Sequence, residues 1–195
     1  MKIRAKDVQP GDVLSLYIGN NVFAFMRLLY VIPCHTYLCE VYDFKGSEFV
    51  FDPQILASSR LMPIVSANWL AYLNPKLWRG QVIFRDNDFK VPIEEIREVR
   101  LMNLTQAVRF NMDWQPDSSE MLVLTEDVWD KEKHDKLSQK HMSFDLLDNP
   151  EMLICEIRNR LGLLPKFNHR DFKERISMFK WLKANDVYLG PRGSD

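Results

Sequence analysis

This chain has few glycines, few cysteines and almost no net charge, and each scarcity excludes something. Seven glycines among 195 residues, beside ten prolines, leave no room for a fibrous or low-complexity class. Three cysteines, Cys34, Cys39 and Cys155, cannot close into a full set of disulfides, so they read as reduced thiols packed as small apolar side chains. A net charge of −1 argues against a general affinity for nucleic acid or anionic membranes, which needs clustered positive charge. No apolar run approaches the ~18 residues of a membrane span. Residues 1–7, M-K-I-R-A-K-D, lack the apolar core of a signal peptide. The expectation is a soluble, cytoplasmic protein. No G-x-S-x-G, Walker-type glycine loop, H-E-x-x-H or Rossmann glycine triplet occurs, which points away from the common enzyme classes.

What the chain does have is material for a core: 46% of its residues are hydrophobic and 12% aromatic, enough for one domain with a sizeable appendage. Residues 8–32 predict a β-hairpin. Pro10, Gly11 and Asp12 form turns readily, and Val13, Ser15 and Tyr17 then alternate against Leu14, Leu16 and Ile18. Gly19, Asn20 and Asn21 all tolerate the positive φ of a tight loop. The return strand is apolar from Val22 to Ile32 except at Arg27, which predicts cover on both faces. A third strand is expected over residues 36–44, a further one over 48–51, and an edge or bulge at 61–65, where Pro63 interrupts. Residues 66–73 fit a short helix, and 81–85 a strand. Ile93, Ile96 and Val99 suggest a helical turn passing into a strand.

Further on, Met121 to Leu124 reads as a strand, and Thr125 as the cap of a polar helix over 126–140. Asn149, Pro150 and Glu151 mark a helix start, with Leu153, Ile157, Leu161 and Leu164 as one stripe and Gly162 as the stop. A second helix is expected from Asn168 or His169 to Ala184 or Asn185, its stripe being Phe172, Ile176, Phe179 and Leu182. Residues 189–195 are expected to fray. The fold class is therefore α+β: a bent antiparallel sheet or half-open β-barrel followed by a C-terminal pair of amphipathic helices. Three segments are expected: a β-rich core over 1–112, an acidic connection over 113–147 and a helical hairpin packed on the core over 148–195.

The P-G-D at 10–12, the alternating strand, the Gly/Asn turn and the aromatic-rich return strand carrying Arg27 resemble the opening of immunity protein family 26 of bacterial polymorphic toxin systems. The pattern continues through E-V-Y-D-F at 40–44, L-M-P-I at 61–64 and Trp78 before Q-V-I at 81–83. It covers the first half of the chain, and the second half has no counterpart in it. This resemblance implies a cytoplasmic protein that binds and neutralises a cognate toxin domain, with no catalysis and no cofactor.

Charge is segregated along the second half. Asp113, Asp117, Glu120, Glu126, Asp127, Asp130, Glu132 and Asp135 stand against only Lys131 and Lys133. Between Glu156 and Lys183 the balance reverses, with Arg158, Arg160, Lys166, Arg170, Lys173, Arg175, Lys180 and Lys183 against Glu156, Asp171 and Glu174. Such runs are ordinarily solvated faces. Read functionally, they steer a charged partner, and the candidate contact set is Asp113, Trp114, Asp117, Glu120, Glu126, Asp127, Trp129 and Asp130. No catalytic or metal-binding residue is expected. Cys34, His35 and Cys39 lack a second cluster to complete a tetrahedral site, and His134 and His141 are two helical turns apart. Glu94, Glu95 and Glu98 have Arg97 and Arg100 among them and read as surface charge pairs. Two other classes remain beside an immunity protein: a β-barrel module binding nucleic acid or peptide, and a small hydrolase using Cys34 or Cys39 with a distant histidine.

Overall fold

The computed structural model describes residues 7–32, 36–102, 106–110, 122–127, 132, 142–143, 149–168 and 171–191. The first half builds β1 (Asp12–Tyr17), β2 (Phe23–Ile32), β3 (Thr36–Val41), α1 (Pro53–Ala57), β4 (Val65–Ala67), α2 (Trp69–Tyr72) and β5 (Gly80–Arg85). Its strands form an open antiparallel sheet in the order β4-β3-β2-β1-β5. After α3 (Ile93–Arg97) come β6 (Leu101–Met102), β7 (Gln106–Phe110), β8 (Leu122–Asp127) and β9 (Met142–Ser143). These make a second sheet in the order β8-β7-β6-β9, which takes strands from both sides of residue 112. Two helices follow, α4 (Pro150–Arg160) and α5 (Phe172–Ala184). The architecture is α+β with an open sheet. Among the described residues no helix is long and apolar enough to cross a membrane.

The hairpin forms for the reasons its residues suggest. Gly19, Asn20 and Asn21 take φ values of +90°, +58° and +55°. The Ile18 N–H donates to the Val22 carbonyl at 3.0 Å, and the Val22 N–H to the Gly19 carbonyl at 3.0 Å. Tyr17 then faces Phe23 in register. Every residue of β1 is buried, so this strand is covered on both faces. One face carries Leu14 and Leu16 opposite Met26 and Ala24. These belong to a single core shared with Met152, Leu153, Ile154, Cys155 and Ile157 of α4 and with Met178 and Leu182 of α5.

Several expectations need correction. Residues 48 and 49 form bends and 50–51 are irregular chain, not a strand. Phe49 and Phe51 act instead as cover, packing on Phe23 and Phe84. Thr125 lies inside β8, which runs on to Asp127 with Ala107 opposite Glu126 and Gln106 opposite Asp127; the rest of the helix expected over 126–140, residue 132 aside, lies outside the described residues. The second C-terminal helix starts at Phe172 because Asp171, not Asn168, caps it, accepting from the N–H groups of Lys173 and Glu174 at 2.8 and 3.2 Å. Leu164 is 68% exposed, since α4 ends at Arg160 and Gly162, at φ +72°, turns the chain off the stripe. Ile176 is 46% exposed, and Met178 takes its place in the core. Residue 189 is also not free, because the Leu189 N–H donates to the Leu77 carbonyl at 2.8 Å.

The largest departure concerns Arg158, expected on a basic helix face and found with no exposure at all. Its guanidinium donates to the Ile18 carbonyl at the hairpin tip and to the Leu164 carbonyl at 2.7 Å. The cation lies 3.9 Å from the ring centroid of Trp181. Burial lowers its pKa, as it does for any cation removed from water. Gly19 therefore answers two demands, positive φ and space. A Cβ there would come within 2.6 Å of the Trp181 ring and 3.1 Å of the Arg158 guanidinium. Replacing Gly19 with Val is expected to cost about 2–4 kcal/mol, from left-handed backbone strain plus overpacking. Thermal unfolding checks this, and an unchanged midpoint would refute the assignment.

Candidate functional site

The other face of the five-stranded sheet differs in kind. Ser15, Tyr17, Phe23, Phe25 and Arg27 line it, with Glu40 opposite Arg27 on the neighbouring strand. Irregular chain after β3 and after β5 covers it with aromatic rings. Phe49 sits edge-on to Phe23 at 4.5 Å, Phe44 edge-on to Phe25 at 5.6 Å, and Phe51 stacks on Phe84 at 3.9 Å. Phe89 lies 4.6 Å from the Arg27 guanidinium, within cation–π range.

At one end of this face is an ionic cluster centred on Glu40, whose exposure is only 3%. Its Oε1 accepts from Arg27 Nε at 2.6 Å, from Arg27 Nη2 at 2.5 Å and from the Tyr42 hydroxyl at 2.6 Å. Its Oε2 accepts from Arg60 Nε at 2.7 Å. Arg60 then reaches outward to grip both carboxylate oxygens of Glu95 on α3. The hydrogen bonds from Arg60 hold the Glu95 carboxyl below its usual range. Burial, then the hydrogen bond to Glu40, pushes the Tyr42 hydroxyl far upward. Two arginines and two glutamates cancel in charge, so the cluster is neutral and its central carboxylate is fully engaged. A cleft of about 310 Å³ opens beside it, lined by Arg60, Pro63, Ile64, Glu95, Glu98, Val99 and Arg100. Glu95 thus leaves the expected local charge pairs, while Glu94–Arg97 and Glu98–Arg100 do form, at 3.2 and 3.5 Å.

A second buried pair anchors the start of the sheet. Asp12 has no exposure and takes Arg85 in a two-pronged contact at 2.6 and 2.9 Å. The Asp12 carboxylate also accepts the Gln9 N–H at 3.0 Å. Its sequence context suggested only a turn former.

The two described thiols are both buried. Cys39 is wholly buried, and burial raises its pKa well above the ordinary value. Its Sγ–H points at the Tyr37 carbonyl, 3.6 Å away. Cys155 is pushed up to about 12, again mainly by burial. Cys34, His35, His134 and His141 lie outside the described residues. Among the described residues no group of three or more His, Cys, Asp or Glu side chains is placed to hold a metal.

Of the residues expected to contact a partner, Glu126 and Asp127 fall at the end of β8. Asp113, Trp114, Asp117, Glu120, Trp129 and Asp130 lie outside the described residues. Sequence reasoning missed the Glu40 cluster, although it had a signal. Arg27 is the one charge in an apolar strand, and Glu40 is the opposite charge in the next strand, where cross-strand neighbours meet. Comparison with family models, with curated proteins and with solved structures finds no match to this chain.

Two outcomes follow from this geometry. Glu40→Gln leaves two arginines facing a neutral group, and is expected to lower stability by about 2–4 kcal/mol, measured by denaturant unfolding. An effect below about 0.5 kcal/mol, the scale of ordinary surface changes, would show the cluster to be peripheral. Cys39 and Cys155 are expected to resist iodoacetamide in the folded protein and to react after unfolding, read by mass mapping of their peptides. Rapid labelling of either thiol in the native state would contradict the burial described.

Proposed function

We propose that this chain is an immunity protein, which binds a cognate bacterial toxin domain and neutralises it by contact, without turnover. The observation that carries this reading is the meeting of Arg27, Glu40 and Tyr42, three residues of the immunity-family pattern, in one saturated cluster. A fourth pattern residue, Asp12, is spent on Arg85. In both places the pattern's carboxylates hold arginines through both of their oxygens and so shape the sheet. A rigid sheet with aromatic cover suits a protein that must present one surface accurately to one partner, because a preorganised surface loses less entropy on binding. The acidic residues Asp113, Asp117, Glu120, Glu126, Asp127 and Asp130, with Trp114 and Trp129 as anchors, remain the proposed steering contacts toward a basic toxin.

The test is genetic. A polymorphic-toxin locus places the toxin in a large secreted protein encoded immediately beside its immunity gene. The C-terminal domain of that neighbour is expressed in a bacterial host with and without this chain. Growth is expected to be restored by the intact chain, and equally by a folded Cys39→Ser, Cys155→Ser variant. Persistent toxicity in the presence of the folded chain, or a metabolic operon at the locus, would overturn the proposal.

A further inference from the structure

Helix α3 is too short to hold itself in place. It is five residues long, its N-cap Pro92 brings no side-chain hydrogen bond, and so short a helix is unstable alone. Two buried apolar side chains, Ile96 and Val99, seat it in the core. Its packing against the chain that leads into β4 is incomplete. The cleft of about 310 Å³ separates these two stretches, with Arg60, Pro63 and Ile64 lining it from one and Glu95, Glu98 and Val99 from the other.

Arg60 spans that gap. Its Nε donates to the buried carboxylate of Glu40 at 2.7 Å, and its two terminal nitrogens donate to the two oxygens of Glu95, the Nη2 bond being 3.0 Å. A planar guanidinium fork matches a carboxylate in this paired way, so the contact is directional. The inner end is fixed, because Glu40 also accepts from Arg27 and Tyr42. The outer end is wet, with the Glu95 side chain 46% exposed. The other charges on α3 and just after it pair locally, Arg97 with Glu94 and Arg100 with Glu98, and do not reach the sheet. Among the described residues, the polar tie between α3 and the five-stranded sheet is therefore the Arg60 bridge. β6 follows at Leu101, so whatever holds α3 also holds the joint between the two sheets.

We infer that the Arg60–Glu95 contact is an acid-released latch, which holds α3 against the five-stranded sheet and lets it lift when Glu95 takes up a proton. A neutral carboxyl no longer pairs with the guanidinium through two charged bonds. The hydrogen bonds from Arg60 lower the Glu95 pKa in the latched form. The latched form is thus favoured above the ordinary carboxylate range, and the advantage is lost as pH falls through the lowered value. The charged and titratable groups around the latch are Glu40 on β3, Arg27 on β2, Tyr42, and Glu98 and Arg100 beside the cleft. From α4, Arg160 reaches the Leu61 carbonyl at 3.5 Å while paired with Glu156.

Hydrogen exchange on the full chain tests this. The reporters are the Ile96, Glu98 and Val99 N–H groups, which donate to the Pro92, Glu95 and Ile96 carbonyls, and the controls are amides of β1 and β2. Protection is taken relative to the intrinsic exchange rate at each pH. At pH 6, Glu95→Gln is expected to lower protection of the reporters about fivefold, the upper end for an exposed pair and fitting a two-pronged one, with the controls unchanged. Glu94→Gln removes a charge equally near the helix N-terminus and is expected to leave the reporters as they are. Between pH 6 and pH 3 the reporters of the unaltered chain are expected to fall to the level of Glu95→Gln, whose own protection stays flat. Reporters that keep their protection in Glu95→Gln, or in the unaltered chain at pH 3, would overturn the latch. Equal loss in Glu94→Gln would overturn it as well, by making the effect one of helix charge. Loss shared equally by β1 and β2 would do the same, by making the contact part of global stability.

Discussion

Arg158 is the contact on which the arrangement of this protein turns. Removing a guanidinium from water costs several kcal/mol, and among the described residues no carboxylate repays it. Two backbone carbonyls and the face of an indole do so instead, and the Nε–H finds no acceptor. Carbonyl oxygens carry partial charge and cannot move away as a side chain can. The guanidinium therefore sets the positions of everything it touches. It ties the tip of the first hairpin to the turn between α4 and α5, and Asn20 Nδ2 reinforces the tie by donating to the same Leu164 carbonyl at 3.1 Å. It also sets which side of α5 faces inward, because Trp181 has to lie over the cation. That constraint rotates Ile176 outward and Met178 into the core.

The two arginine environments divide the molecule by role. On the helix-covered side Arg158 joins segments distant in sequence through backbone carbonyls. On the aromatic side Glu40 and Glu95 hold two arginines, with Tyr42 bonded to Glu40, in a neutral knot that ties β2 and β3 to α3.

Local chemistry was legible in the sequence, and contacts between distant segments were not. Gly19, Asn20 and Asn21 announce a hairpin because few other residues accept positive φ, and the apolar run of β2 announces a strand covered on both faces. Pro150 and the stop at Gly162 likewise bound α4 from local chemistry alone, though Asn149 at its start spends its side chain on Met152 Sδ at 3.8 Å and not on the backbone. Arg158 looked like one more basic residue among eight, since a helical wheel cannot say which cation lies over a distant indole. Phe49 and Phe51 alternate as a strand would, yet their rings are drawn to Phe23 and Phe84 and the backbone follows. Of the Glu40 cluster the members were visible individually. Their meeting depended on the register of β2 against β3, with its irregularity between Leu28 and Tyr30.

The separation of 140 residues between Ile18 and Arg158 has a consequence for biosynthesis. At a ribosomal rate of about 5–20 residues per second, roughly 7–28 s pass between the emergence of the hairpin and that of its clamp. Throughout that interval Leu14, Leu16, Met26 and Leu28 have no helical cover, and the nascent sheet exposes one greasy side and two open edges. The docking of α4 and α5 is therefore the closing step of assembly, and until it happens the unfinished sheet needs other cover.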